Sequence, residues 1–255
     1  MKSSTVRIHS LDELRGICLA LMVLYHAMYD IYALYNVYIP FFYSAPMRFL
    51  QSFFAGVFIM IAGITCSFSR SNFKRGIKTL VCALAVSLST MLVTPAEPIL
   101  FGILHLLGVC MVLYPLAAVV LNQLPQTLSA LALFLLFAAT WLVPSRKVGF
   151  FAFPLLDLSP QLYTNFWFAA VGFAPADFVS ADYFPLLPWG FLFLAGSRIG
   201  HLLAIKGVPA ALTVLRFPFW AACGRNSLAV YLLHQPVLIF IFTLVGILRK
   251  SLFSS

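Results

Sequence analysis

Residues 11–36 read LDELRGICLALMVLYHAMYDIYALYN, a charged start followed by a long apolar run. A helix of about 20 apolar residues is long enough to cross the hydrocarbon core of a bilayer. This stretch therefore predicts a membrane-spanning helix over roughly residues 14–36. The run is too long for a signal peptide, includes His26 and Asp30, and lacks a small-residue cleavage site, so we expect it to be retained.

The composition extends this prediction to the rest of the 255-residue chain. Hydrophobic residues make up 62% of it and charged residues 9%, whereas a soluble domain is about 45–50% apolar and about 25% charged. These values exclude a soluble globular enzyme, a disordered chain and a nucleic-acid-binding module. We expect an all-α fold, a polytopic integral membrane helical bundle of about seven transmembrane helices, forming a single domain over residues 1–255. Hydropathy places the spans at roughly 14–36, 49–68, 77–94, 100–121, 127–144, 184–205 and 226–248.

Two further segments are apolar but are not predicted to cross the membrane. Segment 150–176 is rich in aromatic residues and proline, and we expect it to be a loop that lies at the membrane interface. Segment 208–222 is short and contains Arg216 and Pro218. It predicts either an interfacial or a re-entrant helix.

The net charge of +9 comes from 16 Lys and Arg against 7 Asp and Glu. Basic residues stay on the cytoplasmic side of membrane proteins, and most of those here fall on the same side as the N-terminus. This asymmetry predicts a cytoplasmic N-terminus and an external C-terminus. The five cysteines are dispersed without a CxxC pair, so we expect neither a disulfide framework nor a metal site.

The first predicted span contains two ionisable side chains, His26 and Asp30. Ionisable groups inside a span are costly and are functional candidates by default. At spacing i, i+4 the two share one helix face, and a carboxylate beside an imidazole can orient it and increase its basicity. The pair is a candidate for catalysis, a structural link between helices, or a proton relay in a proton-coupled transporter.

Arg15 lies on the same face of that helix as His26. Eleven residues correspond to three turns plus roughly 20°, and to about 16 Å along the axis. One helix face therefore connects a cation at the cytoplasmic interface with a buried base.

A second candidate cluster is SRSNFKRGIK, residues 69–78, between the second and third spans. Its cationic and amide side chains include Arg70, Asn72, Lys74 and Arg75. Because Arg and Lys bind phosphates well, the cluster predicts an anion site for a phosphorylated cytosolic ligand. The alternative is a loop that only fixes topology.

The last predicted span begins with a third cluster, Arg225 and Asn226, and contains His234 and Gln235 about 12 Å further along the helix axis. His234 would lie at a depth comparable with that of His26. His105 and Asp182 lie near the outer ends of the fourth and sixth spans. Either could bind an acceptor substrate; the alternatives are a link between helices for His105 and a helix cap for Asp182.

Several stretches resemble a known family. LDELRGICLALMVLYH resembles the first-span motif of the transmembrane acyltransferase superfamily, an Arg followed by ten residues and a His, here Arg15 and His26. More specifically, the chain resembles the bacterial family similar to the catalytic domain of heparan-alpha-glucosaminide N-acetyltransferase. Five blocks support this: YHAMYD, FFAGVFIMIAGITCSFSRSNFKRG, FGILHLLG, DYFPLLPWG and GRNSLAVYLLHQPVL.

The resemblance implies an acetyl-CoA-dependent membrane acyltransferase that moves acetyl from cytosolic acetyl-CoA to a sugar, glycan or other small-molecule acceptor at or across the bilayer. The implied setting is a bacterial inner (cell) membrane, with lipid as a partner, no nucleic acid and no metal, and with a homo-oligomer left open. Catalysis is assigned to His26 and Asp30. Acetyl-CoA binding is assigned to Arg15, Arg70, Asn72, Lys74, Arg75, Arg225 and Asn226, and acceptor binding to His105, Asp182, His234 and Gln235.

Two mechanisms remain open on the sequence. His26 acts as general base on the acceptor, or it is itself acetylated and then passes the acetyl group on. O-acetylation and N-acetylation are equally open. The transporter, with His26 and Asp30 as a proton relay, and an inactive assembly factor on the same scaffold are the alternatives from other functional classes.

Overall fold

The structure, a computed structural model, describes residues 7–253, with side chains described to residue 248. Nine α-helices lie in this part of the chain, and seven of them form segments long and apolar enough to cross a membrane, the fifth of which, Gln126–Ser145, continues past the end of α5. These seven are α1 His9–Tyr35, α2 Ala45–Cys66, α3 Asn72–Val93, α4 Ile103–Leu121, α5 Gln126–Ala139, α6 Leu186–Lys206 and α9 Ser227–Phe253. The predicted all-α polytopic membrane fold is confirmed, and each predicted span coincides with one of these helices.

Several helices begin before the predicted spans. α1 begins at His9 and α3 at Asn72, because their charged first turns are helical even though they are too polar for the hydrocarbon core. The start of α3 is capped by Ser71, whose Oγ accepts a hydrogen bond from the backbone N–H of Lys74 at 3.3 Å. Such a cap satisfies one of the free N–H groups at the start of a helix.

The aromatic segment between α5 and α6 does not form a spanning helix. Strands β1 (Lys147–Phe150) and β2 (Phe153–Asp157) form an antiparallel hairpin with an irregularity between Val148 and Gly149. Two short 3-10 turns, Pro160–Tyr163 and Phe166–Ala170, follow it. The sequence predicted only a loop here, so the hairpin is an addition to the prediction.

The apolar segment before the last span is not one helix. It forms α7 (Ala210–Thr213) and α8 (Pro218–Arg225), separated by extended backbone. Pro218 lies at the first position of α8, where a missing N–H costs nothing. The prediction of one continuous interfacial or re-entrant helix over 208–222 is therefore wrong, because the helix is interrupted between α7 and α8.

The described helices form two compact units. The first comprises the chain up to residue 58 and from residue 208 onward, with α1, α7, α8 and α9; the second comprises residues 59–207, with α3 to α6 and the hairpin. Helix α2 begins in the first unit and ends in the second. A single domain over the whole chain stays a prediction.

In the first unit, α1 packs antiparallel to α8. A side chain on Gly16 would overlap the carbonyl oxygen of Trp220, and one on Gly224 would overlap that of Asp12. Two glycines therefore permit the backbones to touch. Glu13, only 6% exposed, accepts hydrogen bonds from the backbone N–H groups of Arg216 and Phe217 at 2.6 and 2.9 Å, which fixes the start of α8 against α1.

Helix α9 runs parallel to α1 in the same unit. Asp30 contacts Gln235, and one to two helical turns further along, the Tyr35 hydroxyl donates to the carbonyl of Phe242. Both contacts advance in the same direction along the two helices. The first and last spans must run parallel when the number of spans is odd, so this arrangement agrees with seven crossings.

In the second unit, α3 packs against α4 and α5 packs against α6. A buried arginine, Arg198 on α6, links α6 to the start of α5 and to the turn before it. Its guanidinium donates to the Ser129 Oγ at 2.9 Å, the Asn122 Oδ1 at 2.9 Å and the Leu124 carbonyl at 3.2 Å. The loop between α4 and α5 is therefore anchored from inside the protein.

Candidate active site

The parallel packing of α1 and α9 places two histidines side by side. The ring centroids of His26 and His234 are 4.9 Å apart, and the ring planes are tilted by 44°. Sequence spacing alone predicted only that the two residues lie at a similar depth in the membrane, on separate helices. The structure shows that they are neighbours.

The protonation pattern of His234 follows from its backbone contact. Its Nδ1 lies 2.6 Å from the carbonyl oxygen of Tyr231, one turn earlier on α9. A carbonyl can only accept a hydrogen bond, so Nδ1 must bear the hydrogen, and in the neutral ring Nε2 then has the free lone pair. Nε2 is buried and has no hydrogen-bond partner among the described residues.

Asp30 contacts α9 rather than His26. Its Oδ1 accepts a hydrogen bond from the Gln235 Nε2 at 2.8 Å, and Asp30 is only 5% exposed. Within residues 7–248, His26 makes no hydrogen bond to Asp30. The spacing of these two residues suggested a direct carboxylate–imidazole pair, but the carboxylate is instead directed toward the neighbouring helix. Its effect on His26 must therefore be indirect in this conformation.

Three buried polar atoms at this centre have no partner in the described part of the chain: Asp30 Oδ2, Gln235 Oε1 and His234 Nε2. Each of them accepts hydrogen bonds. Since buried polar groups are nearly always paired, these three atoms, on residues that meet between α1 and α9, are candidates to accept hydrogen bonds from a ligand. A hydroxyl or amine group fits this description.

The first unit also contains the cationic residues expected near this helix face. Arg15 is largely buried and lies with its Nη1 3.7 Å from the Asp12 Oδ1, and Asp12 also accepts from the Arg7 Nε at 2.9 Å. Arg225 and Asn226, at the end of α8, are exposed. The Asn226 amide donates to the carbonyl of Ala222, so its side chain helps to terminate α8.

The basic cluster of the second unit lies at the start of α3. Arg70, Lys74 and Arg75 are exposed. Asn72 has a structural contact, because its Nδ2 donates to the carbonyl of Cys66 at 2.8 Å. The three cations are therefore available to an anion, whereas the Asn72 donor is already used.

The two outer candidates in the second unit differ from each other. The Asp182 Oδ2 accepts from the backbone N–H of Ile103 at 3.0 Å, so it caps α4 rather than the sixth span. The His105 Nε2 lies 3.4 Å from the Ser87 Oγ, and its buried Nδ1 has no partner among the described residues. Of the two, only His105 has a free buried atom for a ligand.

The sequence of this chain was compared with families and known proteins. A family model described as Heparan-alpha-glucosaminide N-acetyltransferase, catalytic, matches residues 7–236. The chain belongs to this family. A search of curated proteins and a search of solved structures gave no match.

Membership in the heparan-alpha-glucosaminide N-acetyltransferase catalytic family makes the chain a membrane enzyme of the acetyltransferase type. The match extends from the start of α1 into α9 and includes His26, Asp30, His234 and Gln235. The resemblance stated from the sequence blocks is confirmed.

Two residues of this family member were missed in the sequence. Tyr231 contributes the backbone carbonyl that orients His234, and its position three residues earlier on a helix was the only signal. Glu13, within LDELRG, holds α8 through two backbone N–H groups. A carboxylate directly before the first apolar residue of the predicted span was a detectable signal, because such a group needs a partner when it is buried.

Proposed function

We propose that this family member transfers acetyl from cytosolic acetyl-CoA to a hydroxyl or amine of a sugar, glycan or other small acceptor. The observation that supports this most is the centre between α1 and α9, where three buried acceptor atoms have no partner within the part of the chain that the structure describes. A donor such as a sugar hydroxyl or amine would satisfy them. The family match supplies the acetyl-transfer chemistry.

In this proposal His26 is the general base. Its ring makes no hydrogen bond to described residues, so it is free to rotate toward an acceptor and to take its proton. The acceptor oxygen or nitrogen then attacks the thioester carbonyl carbon, the C–S bond breaks, and coenzyme A leaves. Asp30 assists indirectly, by holding Gln235 and thereby the position of α9 beside α1.

The second mechanism starts from the same imidazole ring of His26. A nitrogen of His26 attacks the thioester, coenzyme A leaves, and acetyl-His26 passes its acetyl group to the acceptor. Both mechanisms use the same residue and give the same products. A labelled acetyl-protein that forms without acceptor and disappears when acceptor is added distinguishes the second from the first.

Phosphate binding is proposed for two groups of cations, one in each unit. In the first unit these are Arg15 and Arg225, with Asn226 beside the latter. In the second unit they are Arg70, Lys74 and Arg75, which are exposed, with Asn72 fixing the turn before α3. Charge-assisted contacts to phosphate are the strongest hydrogen bonds such side chains make.

Acceptor binding is proposed for His234 and Gln235, through their free Nε2 and Oε1, and for His105, through its free Nδ1. For Asp182 we propose a supporting role, because its contact with the N–H of Ile103 fixes the first turn of α4. That turn also positions His105.

The proposed setting is a bacterial cell membrane, with the N-terminus cytoplasmic and the C-terminus outside. The asymmetry of basic residues supports this orientation, and the parallel course of α1 and α9 agrees with an odd number of spans. The terminal residues 1–6, 254 and 255 lie outside the described part of the chain. An accessibility label placed on residue 3 or 254 would report the side directly.

The test is turnover of acetyl-labelled acetyl-CoA by the full-length protein purified in detergent, with and without a mixture of amino sugars and neutral sugars. We expect release of coenzyme A that increases with acceptor, and label recovered on the sugar. Dephospho-CoA acetyl thioester should bind less well than acetyl-CoA, and Gln substitutions at Arg70, Lys74 and Arg75 should reduce that difference.

The same preparation also tests the transporter alternative. Reconstituted vesicles that move protons and solute while the purified protein neither binds nor cleaves acetyl-CoA would contradict the proposed enzyme. Binding of acetyl-CoA without any cleavage would instead favour an inactive relative on the same scaffold.

A further inference from the structure

The arrangement around His26 raises the question of what stabilises its proton. A general base that takes a proton becomes a cation, and inside an apolar bundle this cation needs a partner. The sequence offered Asp30 for this task. In the structure Asp30 is bonded to Gln235, and the ring beside His26 is that of His234.

His234 has the properties that a partner for a protonated imidazole needs. The carbonyl of Tyr231 holds its Nδ1–H at 2.6 Å, which leaves Nε2 as an acceptor. This atom is buried and unpaired among the described residues. The ring of His26 makes no hydrogen bond in the same part of the chain, so it can turn to bring a nitrogen toward it.

We infer that His26 and His234 act as one base that takes a single proton: the Nε2 of the backbone-held His234 accepts from the acceptor substrate before the transfer and from the protonated His26 after it. This rests on the proposed function. In one step, the acceptor oxygen or nitrogen bonds to the thioester carbonyl carbon, its proton passes to the pair, and the C–S bond breaks. The pair then returns the proton to the coenzyme A thiolate, so the cycle neither consumes nor releases a proton.

Electrostatics limits the pair to one proton. Two imidazolium cations with ring centroids 4.9 Å apart would repel strongly in a medium of low dielectric constant. The other titratable side chains near the pair are Tyr25 and Asp30 on α1 and Tyr231 on α9. Asp30 is one helical turn from His26 on the same helix, and its carboxylate accepts a hydrogen bond from Gln235 rather than from either ring.

The hydrogen bond between Asp30 and Gln235 has a positioning role in this scheme. Gln235 follows His234 directly, so the 2.8 Å contact to α1 fixes the height of α9 at the residue next to the pair. Tyr35 and Phe242 repeat the link further along. These contacts keep the two rings adjacent while one of them rotates.

The test compares His234→Asn and His234→Ala with the wild-type protein. Asparagine still accepts a hydrogen bond but takes no proton. We expect His234→Ala to lose about 10²-fold in turnover, at the lower end of what a proton-transfer group contributes, and His234→Asn to lose less because its side-chain oxygen still accepts from His26, while the Kd for acetyl-CoA stays unchanged in both. Added imidazole should restore part of the turnover of His234→Ala, and His201→Ala, a histidine in the second unit, should behave as wild type.

Two results would overturn the inference while leaving the proposed function intact: full turnover in folded His234→Ala, or a loss in His234→Ala that imidazole does not restore and that follows the loss of folded protein. Failure of the proposed function looks different, since wild-type protein would then not cleave acetyl-CoA at all.

A measurement on the wild-type protein tests whether the two histidines share one proton. It requires neither a turnover assay nor a variant that folds. Nitrogen-15 labelling of histidine reports the protons bound by each ring between about pH 5 and 8, the range in which histidine titrates. We expect the two rings to hold no more than one proton between them over this range. Two protons, or two rings that titrate independently, would contradict a shared base.

Discussion

Two buried polar centres, one in each unit, are built in opposite ways. Arg198 in the second unit is 2% exposed, and its guanidinium donates to a hydroxyl, an amide oxygen and a carbonyl within 3.2 Å. The centre at His26 and His234 in the first unit has three acceptor atoms with no described partner.

The difference separates a structural polar group from a functional one. A buried charge whose hydrogen bonds all end within the chain links helices and resists change. Buried acceptors that are left unpaired cost stability, so the centre at His26 and His234 is the one that a bound donor would stabilise. Both centres contain buried ionisable residues, so burial alone does not distinguish them, whereas the partners do.

The largest expected effect is on turnover in the first unit. Replacing His26 with Ala removes the proposed base, and loss of such a group lowers rates by about 10²–10⁴-fold. The melting temperature in detergent should stay close to that of the wild type, because the His26 ring makes no hydrogen bond to described residues. Turnover and melting are to be measured on the same preparations. Near-normal turnover in folded His26→Ala would exclude the proposed mechanism.

The second expected effect is on stability in the second unit. Arg198→Met removes the donor to the Ser129 Oγ, the Asn122 Oδ1 and the Leu124 carbonyl, and a hydrogen bond that involves a charged group contributes about 1.5–3 kcal/mol. We expect a clearly lower melting temperature with normal acetyl-CoA turnover per folded molecule. Lys206→Met is the matched control, because Lys206 lies on the same helix but is exposed. If Arg198→Met instead melts as the wild type does and loses turnover, Arg198 belongs to the functional class.

The contrast also shows what sequence patterns can and cannot predict. Apolar runs of span length identified all seven long helices, because crossing a bilayer constrains composition directly. The hairpin of β1 and β2 was missed, since two short strands leave no periodic signal among scattered aromatic residues and prolines. The break between α7 and α8 depends on Glu13, about 200 residues earlier, which binds the backbone at Arg216 and Phe217.

The same limit applies to the site. The positions of His26 and His234 at similar depths followed from helix geometry, and residues 26 and 30 share a face by their spacing. The partner of Asp30 did not follow, because Gln235 lies on another helix 205 residues away. Local spacing predicts which side chains could meet on one helix, and only the packing of α1 against α9 decides which of them do.

The smallest expected effect concerns Asp30, and it tests whether its charge or its hydrogen bond matters. Asparagine retains an oxygen that accepts from the Gln235 Nε2, so Asp30→Asn keeps the link between α1 and α9 while it removes the charge. If Asp30 mainly positions α9, turnover should fall by less than about tenfold, which corresponds to under about 1.4 kcal/mol of barrier. Asp30→Leu removes the acceptor as well and should lower both turnover and melting temperature further. The double variant with His26→Ala should be little worse than His26→Ala alone, because residues acting as one unit are not additive. A loss in Asp30→Asn as large as that in His26→Ala would show that the carboxylate takes part directly, and the centre would then be a carboxylate–imidazole pair as the spacing first suggested.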